Sequence, residues 1–341
     1  MNSYNLVPLT TVIIKIFQRL RHIFGDDKMG NILGLTKTAS RIFFGTANPP
    51  VSTHSETAYN LLDSVLEAGI SAFDCARSYG KAETLLGKWL ESRKCREEVI
   101  ILTKCGDVKA GRVLVNRRVI MEQLNQSLEA LRIDSIDIYL LHRDDSNTPI
   151  EEFIDTLNEA KEAGKIKVFG VSNWTHQRIE IANRYAKLKG LTGFQISSPN
   201  YGLALQVQDL WGGGCVSISG DKAACSWYVE SQMPVIAYSS LGRGFFSGKF
   251  KAGDYEGARH HMDSFAQTGY LCEQNMLHLR RAEELARRYG VSVPEIAMRY
   301  IFSNEMNIFA VDNTTSSERL QMNLRAANNP LNAKDTAYLE A

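Results

Sequence analysis

Polar side chains appear abruptly at the ends of four apolar runs. Asp74 closes ISAFD, Lys104 closes VIILTK, His142 closes IDIYLLH and Asn173 follows VFGVS. Tyr79 lies beyond Asp74 in FDCARSYGKAE, on a loop rather than in a run. A carboxylate, an ammonium, an imidazole and a phenol are groups with which proteins move protons, orient carbonyls and stabilise developing negative charge. Taken singly, each has a plain alternative: a surface ion pair for Asp74 or Lys104, a structural role for His142. Lys104 alone would also serve as the amine nucleophile of a Schiff-base aldolase. Four polar run ends in successive units, Asp74, Lys104, His142 and Asn173, are harder to dismiss, provided the fold brings them together.

The pattern around them predicts a fold that does so. From Arg41 onward, short β-branched-rich apolar runs alternate with longer helical patterns, the signature of βαβ units around a parallel sheet. Eight candidate strands, at 42–45, 71–74, 99–104, 136–142, 167–171, 193–197, 235–239 and 308–311, fit a closed (β/α)8 barrel. Runs such as VIILT and IDIYLL lack clean alternation, as strands buried on both faces do. In a parallel barrel the carboxyl ends of the strands converge on one mouth. Thr53 with Glu56 reads as a capping box, and Thr148, Pro149 and Glu151 as N-cap, first helical residue and third-position acid. Gly69 and Gly164 stand where the helices should stop. Residues 202–220, with WGGGC, and 241–270 read as long Gly-rich connections over the same mouth.

In order along the chain, FDCARSYGKAETLLG, LTKCG, YLLHRDD, GVSNW, AYSSLGRGFFSGK and ERLQMNL resemble the motifs of the aldo/keto reductases, a likeness spanning about residues 40–327. The resemblance implies a TIM barrel and an NAD(P)H-dependent oxidoreductase that reduces an aldehyde or ketone, or oxidises the matching alcohol. It implies a catalytic tetrad of Asp74, Tyr79, Lys104 and His142, with NADPH extended across the mouth. The residue types suit that chemistry. A phenol with an ordinary pKa of about 10 becomes a better proton donor to a developing alkoxide when a cation lies beside it. Lys104 would be that cation, Asp74 would hold it, and His142 would orient the substrate carbonyl.

Cofactor contacts follow from the same likeness. Ser172, Asn173 and Gln195 match positions that bond the nicotinamide carboxamide, and Tyr238 the aromatic that stacks on the ring. Ser239, Leu241 and Gly242 would wrap the pyrophosphate, and Thr46 would also line the cofactor site. Ser316 should cap a helix with Arg319 in its first turn, where helix dipole and guanidinium suit a phosphate. Asn323, one turn on, matches an adenine-contacting position. The chain departs from the family pattern at Asn313 and Thr315, where many relatives carry a basic residue, and at Met322, where they carry an acid. These departures leave NADH open beside NADPH. Ala47 stands where many relatives place a bulky residue, which predicts a wider pocket. Gly242, Gly244 and Gly248 form GxGxxxG, but after the seventh strand and before a long loop, not the context of a Rossmann fingerprint.

The bulk properties narrow the partners. Thirty-nine Lys and Arg against thirty-eight Asp and Glu give a formal net charge of +1, so no global field recruits nucleic acid or an anionic membrane. The six cysteines are scattered without a CxxC pair, which predicts free thiols and a cytoplasmic protein. His260 and His261 are adjacent and lack accompanying ligands, so no metal site is expected. Residues 1–28 read as an extension, with Ile13, Ile14, Phe17, Leu20 and Phe24 at helical spacing among basic residues, and 29–341 as the barrel. Residues 6–17 are apolar but too short to span a bilayer. A small-molecule carbonyl or alcohol is the expected partner. The alternative is a nucleotide-binding regulatory or scaffold protein with little turnover.

Overall fold

The computed structural model describes residues 29–30, 32–48, 50–51, 55–108 and 111–341. Its centre is a closed barrel of eight parallel strands: β1 (Ile42–Gly45), β2 (Ala72–Asp74), β3 (Ile100–Cys105), β4 (Ile136–Leu141), β5 (Ile166–Ser172), β6 (Ser197–Ser198), β7 (Val235–Ala237) and β8 (Ile308–Asp312). Each pairs with the next, and β8 closes the ring on β1 through Ala310 opposite Ile42. Twelve helices among the described residues follow in chain order: α1 (Ser55–Glu67), α2 (Ala82–Arg93), α3 (Arg117–Leu131), α4 (Ile150–Glu162), α5 (His176–Lys189), α6 (Lys222–Ser231), α7 (Tyr255–His261), α8 (Ser264–Tyr270), α9 (Glu273–Tyr289), α10 (Val293–Ile301), α11 (Ser317–Ala327) and α12 (Ala333–Glu340).

The strands lack polar alternation because both faces are buried. Phe43, Ala72, Ile100, Leu102, Ile138, Leu140, Val168, Ile196, Ile236 and Phe309 fill the barrel interior. Their neighbours Phe44, Phe73, Ile101, Tyr139, Leu141, Phe169 and Val171 face the helices in a second, larger core. Side chains alternate along a strand, so membership of one series fixes which later residues project into the lumen. A two-stranded antiparallel hairpin, Met29–Gly30 with Ala39–Ser40, closes the end where the strands begin. Ile32 and Ala39 join the interior cluster there, and Lys37 donates to the carbonyls of Arg96 and Val99 just before β3.

The expected strands are found with shifted ends. β6 is the shortest, two residues at Ser197–Ser198 that share only Ser197 with the expected 193–197. Gly69 and Gly164 both sit at positive φ just past a helix, as expected. Thr148 is not the cap of α4: Pro149 occupies that position, and the Thr148 hydroxyl donates to the Val115 carbonyl instead. Residues 241–270 are not one open loop but contain α7 and α8, capped by the carboxylates of Asp254 and Asp263. His260 and His261 lie in the last turn of α7, and no metal-binding group of three or more His, Cys, Asp or Glu occurs among the described residues. The proposed capping residue Thr53 and the extension 1–28 lie outside the described residues.

The helical ring is tight where α2 meets α3. A Cβ on Gly87 would fall against the backbone of Ala130 and Leu131, 2.6 Å from the Leu131 carbonyl carbon. Backbone cannot yield as a side chain can, so Gly87→Ala is expected to destabilise the barrel by about 2 kcal/mol or more. A thermal melt of the variant should show a midpoint lower by about 5 °C.

Candidate active site

The lumen-facing series of three strands end in charged or polar groups at one mouth. Ala72 leads to Asp74, Ile100 and Leu102 to Lys104, and Ile138 and Leu140 to His142. The Lys104 ammonium, in a residue only 3% exposed, lies 2.5 Å from Asp74 Oδ1, 2.8 Å from the Cys75 carbonyl and 3.4 Å from the Tyr79 hydroxyl. Tyr79, on the loop after β2, meets the His142 ring edge to face at 5.9 Å. Asp74, Lys104, Tyr79 and His142 therefore form one contiguous cluster.

Burial and charge set their protonation. The Tyr79 hydroxyl is pushed up to about 12, chiefly by burial, with Lys104 pulling the other way. Burial works against the Lys104 charge, yet Asp74 and Tyr79 together hold its pKa above the ordinary range. Burial raises the Asp74 carboxyl, opposed by Lys104. His142 is pushed down to about 3 by burial and then by the Lys104 cation, with Asp107 opposing, so it is a neutral imidazole at physiological pH. Its Nδ1 is buried without a hydrogen-bond partner, 3.6 Å from Asp107 Oδ2. An ammonium held this firmly charged is the wrong species for a Schiff-base nucleophile, which counts against the aldolase alternative.

A second set of residues, not singled out in the sequence, fixes the first. Glu83, 1% exposed, accepts from the Thr103 hydroxyl at 2.7 Å and from Arg77 at 2.6 Å. The Arg77 N–H donates to the Lys104 carbonyl, tying the Tyr79 loop to β3. Arg143, beside His142, is bound to Asp107 at 3.1 Å and donates to Cys215 Sγ at 3.1 Å.

The expected cofactor residues fare unevenly. The Asn173 amide donates to the His142 carbonyl and to Ser172 Oγ, and its oxygen accepts from Tyr238 at 2.7 Å, so these residues form one connected wall. Thr46 is buried and donates to the Asp74 carbonyl. Ser239 and Arg243 adopt positive φ together with Gly242 and Gly244, and the Gly242 N–H closes a turn onto Ser239, placing Leu241 at its apex. Ser316 caps α11 by accepting from the Arg319 N–H. Asn323 is 1% exposed, and its Oδ1 is buried without a partner, a vacancy that suits a donor such as an exocyclic amino group.

Gln195 is the exception and is removed from the set. Ile196 lies in the lumen, so Gln195 points away from it, and its amide bonds Leu33 and Lys161 near the hairpin end. The residue paired with Ser172 at the mouth is Ser198, three residues further on and about 10 Å along the strand direction. Strand register, not motif position, identifies it.

The connection 202–220 crosses the mouth. Asn200 bonds Ser217, Tyr270 and the Tyr238 carbonyl at its base, and Asn275 bonds Leu205. At its apex the Asp209 carboxylate gathers the N–H groups of Gly212 and Gly214, and Gly213 packs on Val108 and Val113 of the loop after β3, too closely for any side chain. Trp211 thereby lies 6.1 Å from the Tyr238 ring, with the Arg143 and Arg243 guanidinium groups against its faces at 5.9 and 5.3 Å. Ala47, two residues past the end of β1, is exposed.

Comparison with known proteins adds an independent line. The Aldo/keto reductase family matches residues 41–341. Over 80% of this chain and 80% of the relative, the sequence is 28% identical to an L-glyceraldehyde 3-phosphate reductase of Escherichia coli O157:H7. It is 28% identical to the putative aryl-alcohol dehydrogenase AAD14 of Saccharomyces cerevisiae, covering 85% of this chain and 77% of that one. It is 25% identical to the aldo-keto reductase yakc [NADP(+)] of Schizosaccharomyces pombe, over 82% and 77%.

Proposed function

Since the chain belongs to the aldo/keto reductase family and is a nicotinamide-dependent oxidoreductase of carbonyls and alcohols, we propose that Tyr79 protonates the developing alkoxide, Lys104 and Asp74 tune it, and His142 orients the carbonyl. The observation that carries this reading is the buried Lys104 ammonium between Asp74 Oδ1 and the Tyr79 hydroxyl. A bound nicotinamide supplies the hydride. The protein supplies the proton and the fixed dipoles that meet negative charge on the substrate oxygen. Because His142 is neutral, it donates a hydrogen bond without competing as an acid. Tyr238 offers a face for the nicotinamide, with Ser172 and Asn173 beside it. Ser239, Leu241 and Gly242 would hold the pyrophosphate, and Ser316, Arg319 and Asn323 the adenosine end. The orphaned Asn323 oxygen is what fits this chain to an adenine.

In this reading residues 29–341 are the catalytic unit and 1–28 an extension to it. The protein is cytoplasmic, a view supported by six free cysteines. No helix among the described residues is long and apolar enough to cross a membrane.

The test is titration with reduced nicotinamide cofactors followed by a panel of aldehydes and ketones. Trp211 lies beside Tyr238, so cofactor binding should quench tryptophan fluorescence, and Trp211→Phe should remove more than about half of that quench. Cofactor oxidation stoichiometric with carbonyl reduction supports the reading. Saturable binding with no turnover across the panel would replace it with the regulatory or scaffold role.

A further inference from the structure

Asp312 ends β8 on its outer face, since Phe309 lies in the lumen and Ile308 and Ala310 face the helices. Its carboxylate accepts from Asn323 Nδ2 at 2.5 Å and from the Thr314 N–H at 3.1 Å. The Thr314 hydroxyl accepts from the Ser316 N–H, and Ser316 caps the helix that carries Arg319. A carboxylate thus sits at the root of the turn that presents Arg319, against the very amide whose Oδ1 is buried without a partner. Burial outweighs the rest and holds the Asp312 carboxyl above the ordinary carboxylate range, while the Asn323 and Thr314 bonds and the Arg319 charge favour the anion.

The local charge is unusual for a phosphate site. Arg319 is the one basic residue from 312 to 323, whereas Asp312 and Glu318 are both acidic and Asn313 and Thr315 are neutral. A ribose 2′-phosphate would bring close to two further negative charges, and one guanidinium opposed by two carboxylates is poorly suited to receive them. A ribose 2′-hydroxyl brings no charge and can donate to a carboxylate, the arrangement that selects the unphosphorylated dinucleotide in other folds.

We propose that Asp312 makes the adenosine end of the site selective for NADH over NADPH. The inference rests on the reading of the barrel mouth as a nicotinamide site.

Equilibrium binding of NADH and NADPH, read by fluorescence, tests it without turnover. The wild type should bind NADH several-fold more tightly than NADPH. Asp312→Asn should tighten NADPH about tenfold while changing NADH by less than about threefold. Asn313→Lys leaves the buried carboxylate untouched and adds a cation to the same turn, so it should shift preference in the same direction should the first variant fold poorly. A wild type that binds NADPH as tightly as NADH or more tightly overturns the proposal, as does an Asp312→Asn variant that weakens or tightens both cofactors alike. Binding of neither cofactor would instead overturn the nicotinamide reading itself, and this inference with it.

Discussion

A Tyr79→Phe variant is expected to bind nicotinamide cofactor as the wild type does and to reduce carbonyl substrates about a thousandfold more slowly, the scale of a lost general acid. The two effects separate because the Tyr79 hydroxyl faces Lys104 and the ring meets His142, while the expected cofactor wall is built from Asn173, Ser172 and Tyr238. The pH profile sharpens the test. With the phenol near 12 and the imidazole near 3, neither group titrates across the ordinary assay range, so kcat/KM for reduction should be flat between about pH 5 and pH 10. Alcohol oxidation needs the phenolate as base, and its rate should rise with pH toward 12. In the Phe variant that rise should vanish. An inflection near the ordinary histidine pKa of about 6.5 would show that His142 is not held neutral and would sink this account of the pocket.

Lys104→Met should cost as much in rate and, unlike the Tyr79 change, also in stability. Removing the ammonium leaves Asp74 buried without its counter-charge, and breaking one partner from a buried pair costs about 3–5 kcal/mol. Asp74 can escape part of this by binding a proton. Its folded-state pKa is already raised by burial with Lys104 present, and it should rise further once the cation is gone. A carboxyl whose pKa is raised on folding contributes stability at low pH that is lost as pH rises through the folded value. Thermal melts at pH 5 and pH 8 should therefore show a larger deficit for the variant at the higher pH. An equal deficit at both would mean that Asp74 is solvated and that the pair is not the buried one described here. The missing cation should also leave the Tyr79 hydroxyl harder to ionise, which would displace the alkaline rise in alcohol oxidation to still higher pH.

The barrel and the meeting of Asp74, Lys104 and His142 at one mouth were legible in the sequence for one physical reason. Asp74, Lys104 and His142 each terminate a lumen-facing series, and a parallel barrel carries all such ends to the same place. Gln195 was misread because motif order carries no information about parity: one residue of shift in a strand turns a side chain from lumen to shell. Thr148 carried a good capping signature, but its hydroxyl had a better acceptor in a segment far away in sequence. The helices α7 and α8 escaped notice because seven residues give too little periodicity, although Asp254 and Asp263 were capping signals in plain view. What sequence alone could not supply was pairing at a distance. Glu83 with Thr103, Arg143 with Cys215, and Asp312 with Asn323 are contacts between residues that nothing local connects.

The hairpin under the barrel bears on the order in which the molecule can assemble. Residues 29–40 precede every barrel strand in the chain, yet their seat is made from later partners: Ile32 packs into the lumen, Gly34 rests on Val168 and Gln195, and Lys37 reaches the approach to β3. Until β5 and the segment leading into β6 have formed, Gly34 has no Val168 or Gln195 to rest on. A segment that precedes the barrel in the chain thus takes its seat on residues that follow it by about sixty to more than a hundred and fifty positions, and its docking reports that those later strands are in place.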